Sequence, residues 1–180
     1  MKIFIIFLFI FCFVSPAQPS QQKNLNNLFS QLQNINNSKS AALLEKKIWS
    51  IWNEHPNDFK LTEKLEFGTE LMQYGDYNYA LKVFSNVLDN DPNWSEAWNK
   101  RATVYFLMNQ LKKSLDDIDK VLYIEPRHFG ALSGQARIFI KLQQYEKAIK
   151  SIEQALKFYP SFKSQELIPE IERLIREDSI

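Results

Sequence analysis

Three prolines, Pro92, Pro126 and Pro160, recur at a fixed interval of 34 residues along this chain. Each one closes a segment in which large and small residues follow the same order, so the chain contains an internal repeat. A unit of this length cannot bury its apolar face alone, and such units become stable when neighbours stack on one another. The period therefore predicts a stack of similar units that share a continuous core.

Fixed positions inside the repeat indicate what each unit is. We count the units from Leu61, Ser95 and Phe129. Two positions hold small residues every time, which are Gly68, Ala102 and Ala136 at position 8 and Ala80, Ser114 and Ala148 at position 20. Three hold large apolar residues, which are Leu71, Tyr105 and Phe139 at position 11, Phe84, Ile118 and Ile152 at position 24, and Leu88, Leu122 and Leu156 at position 28. Small residues let two helices approach closely while large ones fill the space beside them, so each unit is predicted to be a helical hairpin.

The pattern resembles the tetratricopeptide repeat (TPR) family. The resemblance rests on Trp98 at position 4, Tyr105 at position 11, the Gly75-Asp76-Tyr77 turn, and Ala80, Phe84 and Pro92. It implies an all-α fold, a right-handed α-solenoid of stacked helical hairpins. It also implies a non-enzymatic module for protein interaction, and this chain looks like the small exported TPR proteins of Gram-negative bacteria.

The repeat divides the chain into segments. The regular units are predicted at 61–94, 95–128 and 129–160, with helices at 59–74, 77–90, 95–108, 111–124, 129–142 and 145–158. Residues 161–180 form an amphipathic helix that caps the C-terminal end, with Pro169 near its start. Residues 24–56 form an atypical N-terminal hairpin, which we expect to cover the open end of the stack beside the first unit.

The N-terminus resembles an export signal. Residues 1–17 carry a positive charge near their start, at Lys2, are apolar from Ile3 to Val14 and end in small residues. This pattern is typical of a cleaved signal peptide. An uncleaved anchor is the alternative, although the apolar run is short for a bilayer. We expect 18–23 to be a flexible leader. The single cysteine, Cys12, lies inside the signal, so a disulfide-free mature chain in the periplasm, or a secreted one, is predicted.

Composition argues against several functions. The 22 basic and 21 acidic residues nearly balance, so no attraction to nucleic acid or to an anionic membrane is expected. The only two histidines, His55 and His128, stand at turns in different units, where turn and capping roles fit better than a metal site. No nucleophile motif or phosphate loop is present, so we expect no enzyme activity, no catalytic residues and no cofactor.

Positions 7 and 23 of each unit vary together. The pairs are Phe67 with Val83, Arg101 with Asp117, and Gln135 with Ser151. Burying one polar partner without the other costs about 1 to 3 kcal/mol, so matched pairs indicate contact between the two helices of a unit. We therefore predict an internal ion pair between Arg101 and Asp117.

Other side chains permit both structural and functional interpretations. Trp52 and Trp98 are expected in the core, and Trp49 and Trp94 at an edge that could touch a partner. Asn93 and Glu96 resemble a capping box. Glu125, Arg127 and His128 are expected to form a solvated turn in which Arg127 pairs with a nearby carboxylate.

The resemblance implies a concave groove lined by the first helix of each unit. Its predicted contacts are Thr62, Leu65, Thr69, Met72, Gln73, Glu96, Asn99, Thr103, Phe106, Arg137 and Lys141. Apolar residues lie in the middle and cations at one end, which suits a peptide or protein partner with an acidic end. Chaperone-binding members clamp a terminal carboxylate with lysines and asparagines, but here Thr69 and Thr103 stand at position 9. The alternative is a structural subunit that joins a larger envelope assembly through its convex face or edges.

Overall fold

The computed structural model describes residues 19–35 and 37–178, so the predicted signal peptide lies outside the described residues. The helices are α1 Pro19–Asn34, α2 Ser38–Asn53, α3 Phe59–Gln73, α4 Tyr77–Asn90, α5 Ser95–Leu107, α6 Leu111–Ile124, α7 Phe129–Lys141, α8 Tyr145–Phe158 and α9 Ile168–Asp178, with a 3-10 turn at Lys163–Leu167. These two ranges contain no β-strand. The all-α prediction is confirmed, and the six repeat helices begin and end within one residue of their predicted limits.

The two helices of each unit are joined by the same turn. Position 15 adopts a positive φ in all three units, at Gly75 (84°), Asn109 (58°) and Gln143 (57°). The next residue donates its backbone N–H to the carbonyl of position 11, as in Asp76 to Leu71 at 2.9 Å. This bond satisfies a carbonyl at the end of the first helix, and only glycine adopts the required φ without steric cost.

The small positions lie where the paired helices approach. A Cβ added to Gly68 would lie 2.6 Å from the Phe84 ring, which is below contact distance. In the second unit the Ser114 hydroxyl donates to the Ala102 carbonyl at 2.7 Å, so a polar side chain at position 20 is satisfied within the hairpin. The repeat pattern is therefore a packing pattern, as the sequence predicted.

The covariation of positions 7 and 23 is confirmed as contact in two units. Arg101 bonds to both Asp117 carboxylate oxygens at 2.8 Å, and its remaining nitrogen donates to Ser85 of the preceding unit at 3.1 Å. The hydrogen bonds that Arg101 donates to Asp117 raise the pKa of Arg101. The Ser151 hydroxyl donates to the Gln135 amide oxygen at 2.8 Å.

The leader prediction is wrong for residues 19–23. They form the first turns of α1, and the Gln21 amide donates to the Ile51 carbonyl at 2.8 Å and to the Glu54 carbonyl at 3.1 Å. These bonds satisfy carbonyls at the C-terminal end of α2, where the helix itself offers no donor. Polar composition suggested a flexible segment, but its amides serve as a cap for the neighbouring helix.

The expected position of the N-terminal hairpin is also wrong. Hairpin α1–α2 lies along the edge of the stack where one unit turns into the next. Four side-chain bonds tie it there: Trp94 to the Trp52 carbonyl (2.8 Å), Arg127 to Asn26 (2.8 Å), Gln33 to the Lys157 carbonyl (2.9 Å) and the Tyr159 hydroxyl to Glu45 (3.0 Å). Its core residues pack against α7 and α8, in a cluster of Leu25, Phe29, Leu32, Ala41, Leu44, Ile48, Trp52, Phe129, Leu132, Ala155 and Tyr159.

Positions 3 and 10 explain why the hairpin does not cover the first unit. Ala97 and Val104 occupy them in α5 and are buried against the first unit. The same positions in α3 are Glu63 and Glu70, and both are exposed. Burying two unpaired carboxylates against a preceding unit would be costly, so α3 keeps this face in solvent. At the other end α9 packs Ile171 against the third unit.

We predict that Asp117→Val lowers the free energy of unfolding by about 3 kcal/mol, because Arg101 is left half-buried without its carboxylate. Arg101→Phe combined with Asp117→Val copies the Phe67 and Val83 pair of the first unit and should recover most of that loss. Urea unfolding of the wild type, both single variants and the double variant gives the coupling energy. Additive effects of the two substitutions would contradict the pairing.

Candidate peptide-binding cleft

One cleft of about 360 Å³ lies between α2, α5 and α7. It brings together four of the predicted groove residues, which are Asn99, Thr103, Phe106 and Arg137. The opposite wall is formed by Glu45 and Trp49 of α2, and Phe162 adds an aromatic ring from the segment after α8. We call this the α5–α7 cleft.

The floor of the cleft is ordered by short-range bonds on α5. The Thr103 hydroxyl donates to the Asn99 carbonyl at 2.9 Å, and the Asn99 amide donates to Glu96 at 3.1 Å. The Lys141 ammonium lies 5.8 Å from the centre of the Phe106 ring, so this predicted contact stands at the rim beside the aromatic residue. The floor thus offers an aromatic face next to an amide oxygen.

Charge in the cleft is uneven. Arg137 and Lys141 are both exposed, and within residues 19–35 and 37–178 neither pairs with a carboxylate. Glu45 on the facing wall accepts hydrogen bonds from Trp49 at 3.4 Å and from the Tyr159 hydroxyl at 3.0 Å. Burial and the nearby Glu45 charge raise the pKa of Tyr159 to about 12, so the hydroxyl remains a donor. Arg137 and Lys141 outnumber the single Glu45 carboxylate, so the net charge of the cleft and its rim is positive.

Glu96 is not a groove contact. Its side chain is fully buried, where it accepts from His128 Nε2 at 3.0 Å and pairs with Lys100 at 3.1 Å. Burial alone would raise the pKa of Glu96, but the His128 hydrogen bond and the Lys100 charge outweigh it and hold the pKa below its usual range. The capping-box prediction for Asn93 and Glu96 is also wrong. Helix α5 begins after Trp94, and its first turn has no side-chain cap.

His128 is buried, in contrast to the solvated turn predicted for it. Its ring stacks on Trp52 with centroids 4.0 Å apart and an interplanar angle of 8°. Nδ1 accepts the Ala131 backbone N–H at 3.1 Å, so the proton lies on Nε2, which donates to Glu96. The predicted capping role of His128 and the pairing of Arg127 with Glu125, at 2.7 Å, are both confirmed.

The tryptophans lie deeper than the sequence suggested. Trp52 is buried and Trp98 packs partly buried between the first two units, as predicted. Trp94 is also buried, which contradicts its expected place at an edge. Trp49 is half-buried against α7, where its ring occupies the space that a side chain at Gly130 would need. A tryptophan edge that could carry assembly is therefore absent from the described part of the chain.

The first unit contributes less to the groove than predicted. Leu65 is buried in the core of that unit, and Met72 packs partly buried against it. Thr62 is buried and accepts the His55 backbone N–H at 2.9 Å, while the Thr69 hydroxyl donates to the Leu65 carbonyl at 2.8 Å. Of the five predicted contacts in this unit, Gln73 alone is exposed.

Sequence reasoning missed Glu45 and Phe162, which help to complete the cleft, and predicted the third such residue, Trp49, only as an edge residue that could touch a partner. All three lie outside the regular repeat. The signal available in the sequence was the glycine at Gly130, where position 2 of the other units holds Thr62 and Glu96. A glycine at a surface helix position indicates the close approach of another group.

Two further properties concern the described ranges as a whole. None of their helices has the length and apolar character that crossing a bilayer requires. No group of three or more His, Cys, Asp or Glu residues among them is arranged to hold a metal ion.

Comparison with known proteins agrees with the architecture. Tetratricopeptide repeat models match residues 95–128 and 129–162. A TPR repeat-containing protein of Rhizobium etli is 32% identical over 145 residues, which cover 81% of this chain and 71% of that protein. The chain therefore belongs to the tetratricopeptide repeat family.

More distant similarities extend to other TPR proteins and to solved TPR structures. Hsp70-Hsp90 organizing protein 3 of Arabidopsis thaliana is 26% identical over 115 residues, which are 64% of this chain and 20% of that protein. The first TPR of Spaghetti (RPAP3), solved bound to an HSP90 peptide, superposes with a TM-score of 0.62 at 21% identity. That match covers 67% of this chain and 96% of the solved one, and it shows a shared fold.

We predict that Gly130→Ala lowers stability by about 1 to 3 kcal/mol, because the new Cβ would lie 2.4 Å from the Trp49 ring. Gly134→Ala on the same helix is the control. Its Cβ would meet Ile118 at an ordinary 3.7 Å, so the gain in helix propensity should stabilise by about 0.5 to 1 kcal/mol. Thermal unfolding followed by tryptophan fluorescence measures both, and equal effects would contradict the packing of Trp49 on α7.

Proposed function

We propose that this protein is an exported, non-enzymatic TPR adaptor that binds a peptide segment of another protein in the α5–α7 cleft. The observation that carries the proposal is the combination of Phe106 and Asn99 on the floor with two cations, Arg137 and Lys141, that no carboxylate of the described chain neutralises. Elsewhere on the repeats, buried and half-buried charges are internally paired, as in Arg101 with Asp117. An unpaired cationic rim beside an aromatic floor suits an acidic peptide.

The side chains that line the cleft restrict which peptide sequences can bind. Trp49, Phe106 and Phe162 supply apolar surface for a single aliphatic or aromatic side chain. Asn99 and Ser133 supply polar groups for its main chain. An acidic residue next to the apolar one would then meet Arg137. The peptide differs from a clamped chain terminus, because Thr69 and Thr103 replace the groups that such a clamp requires.

The TPR relatives support the class of ligand. The solved TPR of Spaghetti (RPAP3) carries an HSP90 peptide, and the Sti1 TPR2B domain of yeast was solved as a complex with pHsp70. Both share the fold of this chain at 21% and 19% identity. These complexes show that the fold accommodates peptide segments, and the local side chains decide which segment is bound.

We predict that Arg137→Glu with Lys141→Glu lowers the affinity for an acidic peptide by at least about tenfold, and by more at low salt. A displayed library of random peptides would be selected on the wild type, and the selected peptides titrated against each variant by calorimetry. The matched control is Lys82→Glu with Lys150→Glu, which makes the same charge change on the exposed sides of α4 and α8.

The control variant should bind the selected peptides as the wild type does. Equal losses in the two double variants would show that only net charge matters. Selected peptides without acidic residues would likewise contradict a cationic rim as the recognition element.

Export is the second part of the proposal, and it rests on residues 1–17. We predict that the protein recovered from the periplasm begins near Gln18, because small residues precede that point at the end of an apolar run. N-terminal sequencing of protein from fractionated cells measures this. An intact Met1 in washed membranes would favour the uncleaved anchor.

A further inference from the structure

The outward face of α3 is acidic and aromatic at once. Glu63, Glu66, Glu70, Phe59, Phe67 and Tyr74 lie within about 100° of the helix circumference, by the spacing of 100° per residue. Phe59 is 73% exposed and Tyr74 is 88% exposed, and Tyr79 of α4 extends the patch by contact with Phe67. We call this the α3 face.

The carboxylates of the α3 face are unpaired. Those of Glu63, Glu66 and Glu70 make no hydrogen bond or ion pair with any side chain that the structure describes. The lysines of the helix do not neutralise them. Lys64 lies on another side of the helix, where its ammonium donates to Asn86 of α4 at 2.8 Å. Lys60 lies at the margin of the α3 face.

An open cleft of about 580 Å³ adjoins the α3 face at the start of the helix. Its lining contains Phe59 and three carboxylates, Glu54, Asp58 and Glu66, and includes no lysine or arginine. Asp58 uses one oxygen to accept the Lys60 backbone N–H at 2.9 Å, and its other oxygen has no bond within the described ranges. Negative charge therefore continues from the helix into a concave surface.

The α3 face exists because the N-terminal hairpin packs elsewhere. In the second and third units the corresponding surface is covered by the unit before, through Ala97, Val104, Ala131 and Ile138. In the first unit these positions hold the glutamates Glu63 and Glu70, which suit water and charged partners better than a packed core. Large aromatic side chains that cluster on an exposed face are typical of a contact site.

We propose that the α3 face and its adjoining cleft bind a basic peptide segment in which lysine or arginine residues alternate with apolar ones. Carboxylates spaced along one helix match cations spaced along a peptide, and an arginine plane stacks on tyrosine or phenylalanine rings. This binding is separate from the α5–α7 cleft, whose net charge has the opposite sign.

Charge opposes a symmetric contact in which two copies of the chain meet through their α3 faces. Two α3 faces would oppose their glutamates, which is repulsive. The C-terminal cap offers a mixed surface, because exposed Lys163 and Arg176 stand beside Glu166, Glu172 and the carboxylates that already hold Arg173. The occupant that we propose for the α3 face is therefore a positively charged segment of a different polypeptide, and a dimer is an outcome that the test distinguishes.

The test measures fluorescence anisotropy with two labelled probes, a peptide of alternating arginine and leucine and an oligolysine of the same length. The acid variant is Glu63→Gln with Glu66→Gln and Glu70→Gln, and its matched control is Asp116→Asn with Asp119→Asn and Glu153→Gln. All six residues are exposed, so circular dichroism melts should stay close to that of the wild type.

The acid variant is expected to bind the arginine-leucine probe at least about tenfold more weakly, and the control less than about twofold more weakly. Phe59→Ser with Tyr74→Ser should lower the affinity for the arginine-leucine probe by about threefold or more and leave the affinity for oligolysine unchanged. Arg137→Glu with Lys141→Glu should not lower the affinity for the arginine-leucine probe, which separates this surface from the α5–α7 cleft.

Four results would overturn the proposal: no binding of the arginine-leucine probe by the wild type, equal losses in the acid variant and its control, insensitivity to both aromatic substitutions, or oligolysine binding as tight as that of the mixed probe. Sedimentation supplies a further check. A wild-type dimer that Tyr74→Ser dissociates would mean that a second copy occupies the α3 face.

Discussion

The buried His128 ring connects the N-terminal hairpin to the repeats. It stacks on Trp52 of α2, caps the start of α7 through the Ala131 N–H, and donates to Glu96 of α5. Each contact satisfies or covers a group that would otherwise be unpaired in the core, so the three elements are fixed together. The position of α2 along the turn edge, and with it the wall of the α5–α7 cleft, depends on this arrangement.

The relocation of the hairpin divides the surface into two regions of opposite charge. Where α2 meets the repeats, Arg137 and Lys141 outnumber Glu45, so the cleft and its rim carry net positive charge. Where α2 is absent, the glutamates of α3 stay in solvent. A nearly neutral chain thus presents a cationic cleft and an anionic face, because charges of opposite sign are concentrated at different places on its surface.

Sequence reasoning was accurate for contacts within a unit and between neighbouring units, and it failed for contacts with residues outside the repeat. The helix limits and the Arg101–Asp117 pair were predictable because each unit contacts itself and its neighbours in the same way. Four cleft residues were predictable for the same reason. Glu96 was misassigned because its partner, His128, lies at the end of its unit and depends on Trp52, which is outside the repeat. Glu45 and Phe162 were missed because no periodic pattern reaches them.

The sequence by itself determined the number of units, their helices and the small and large residues that pack them, since these depend on local spacing. Only the tertiary structure decided where the hairpin packs. An amphipathic hairpin can bury its apolar stripe against any exposed apolar surface of sufficient size, and its own pattern does not distinguish between them. Carboxylates at Glu63 and Glu70 opposed one site, while Gly130 and Phe129 gave room and apolar contact at the other. The selected site defined both candidate binding surfaces.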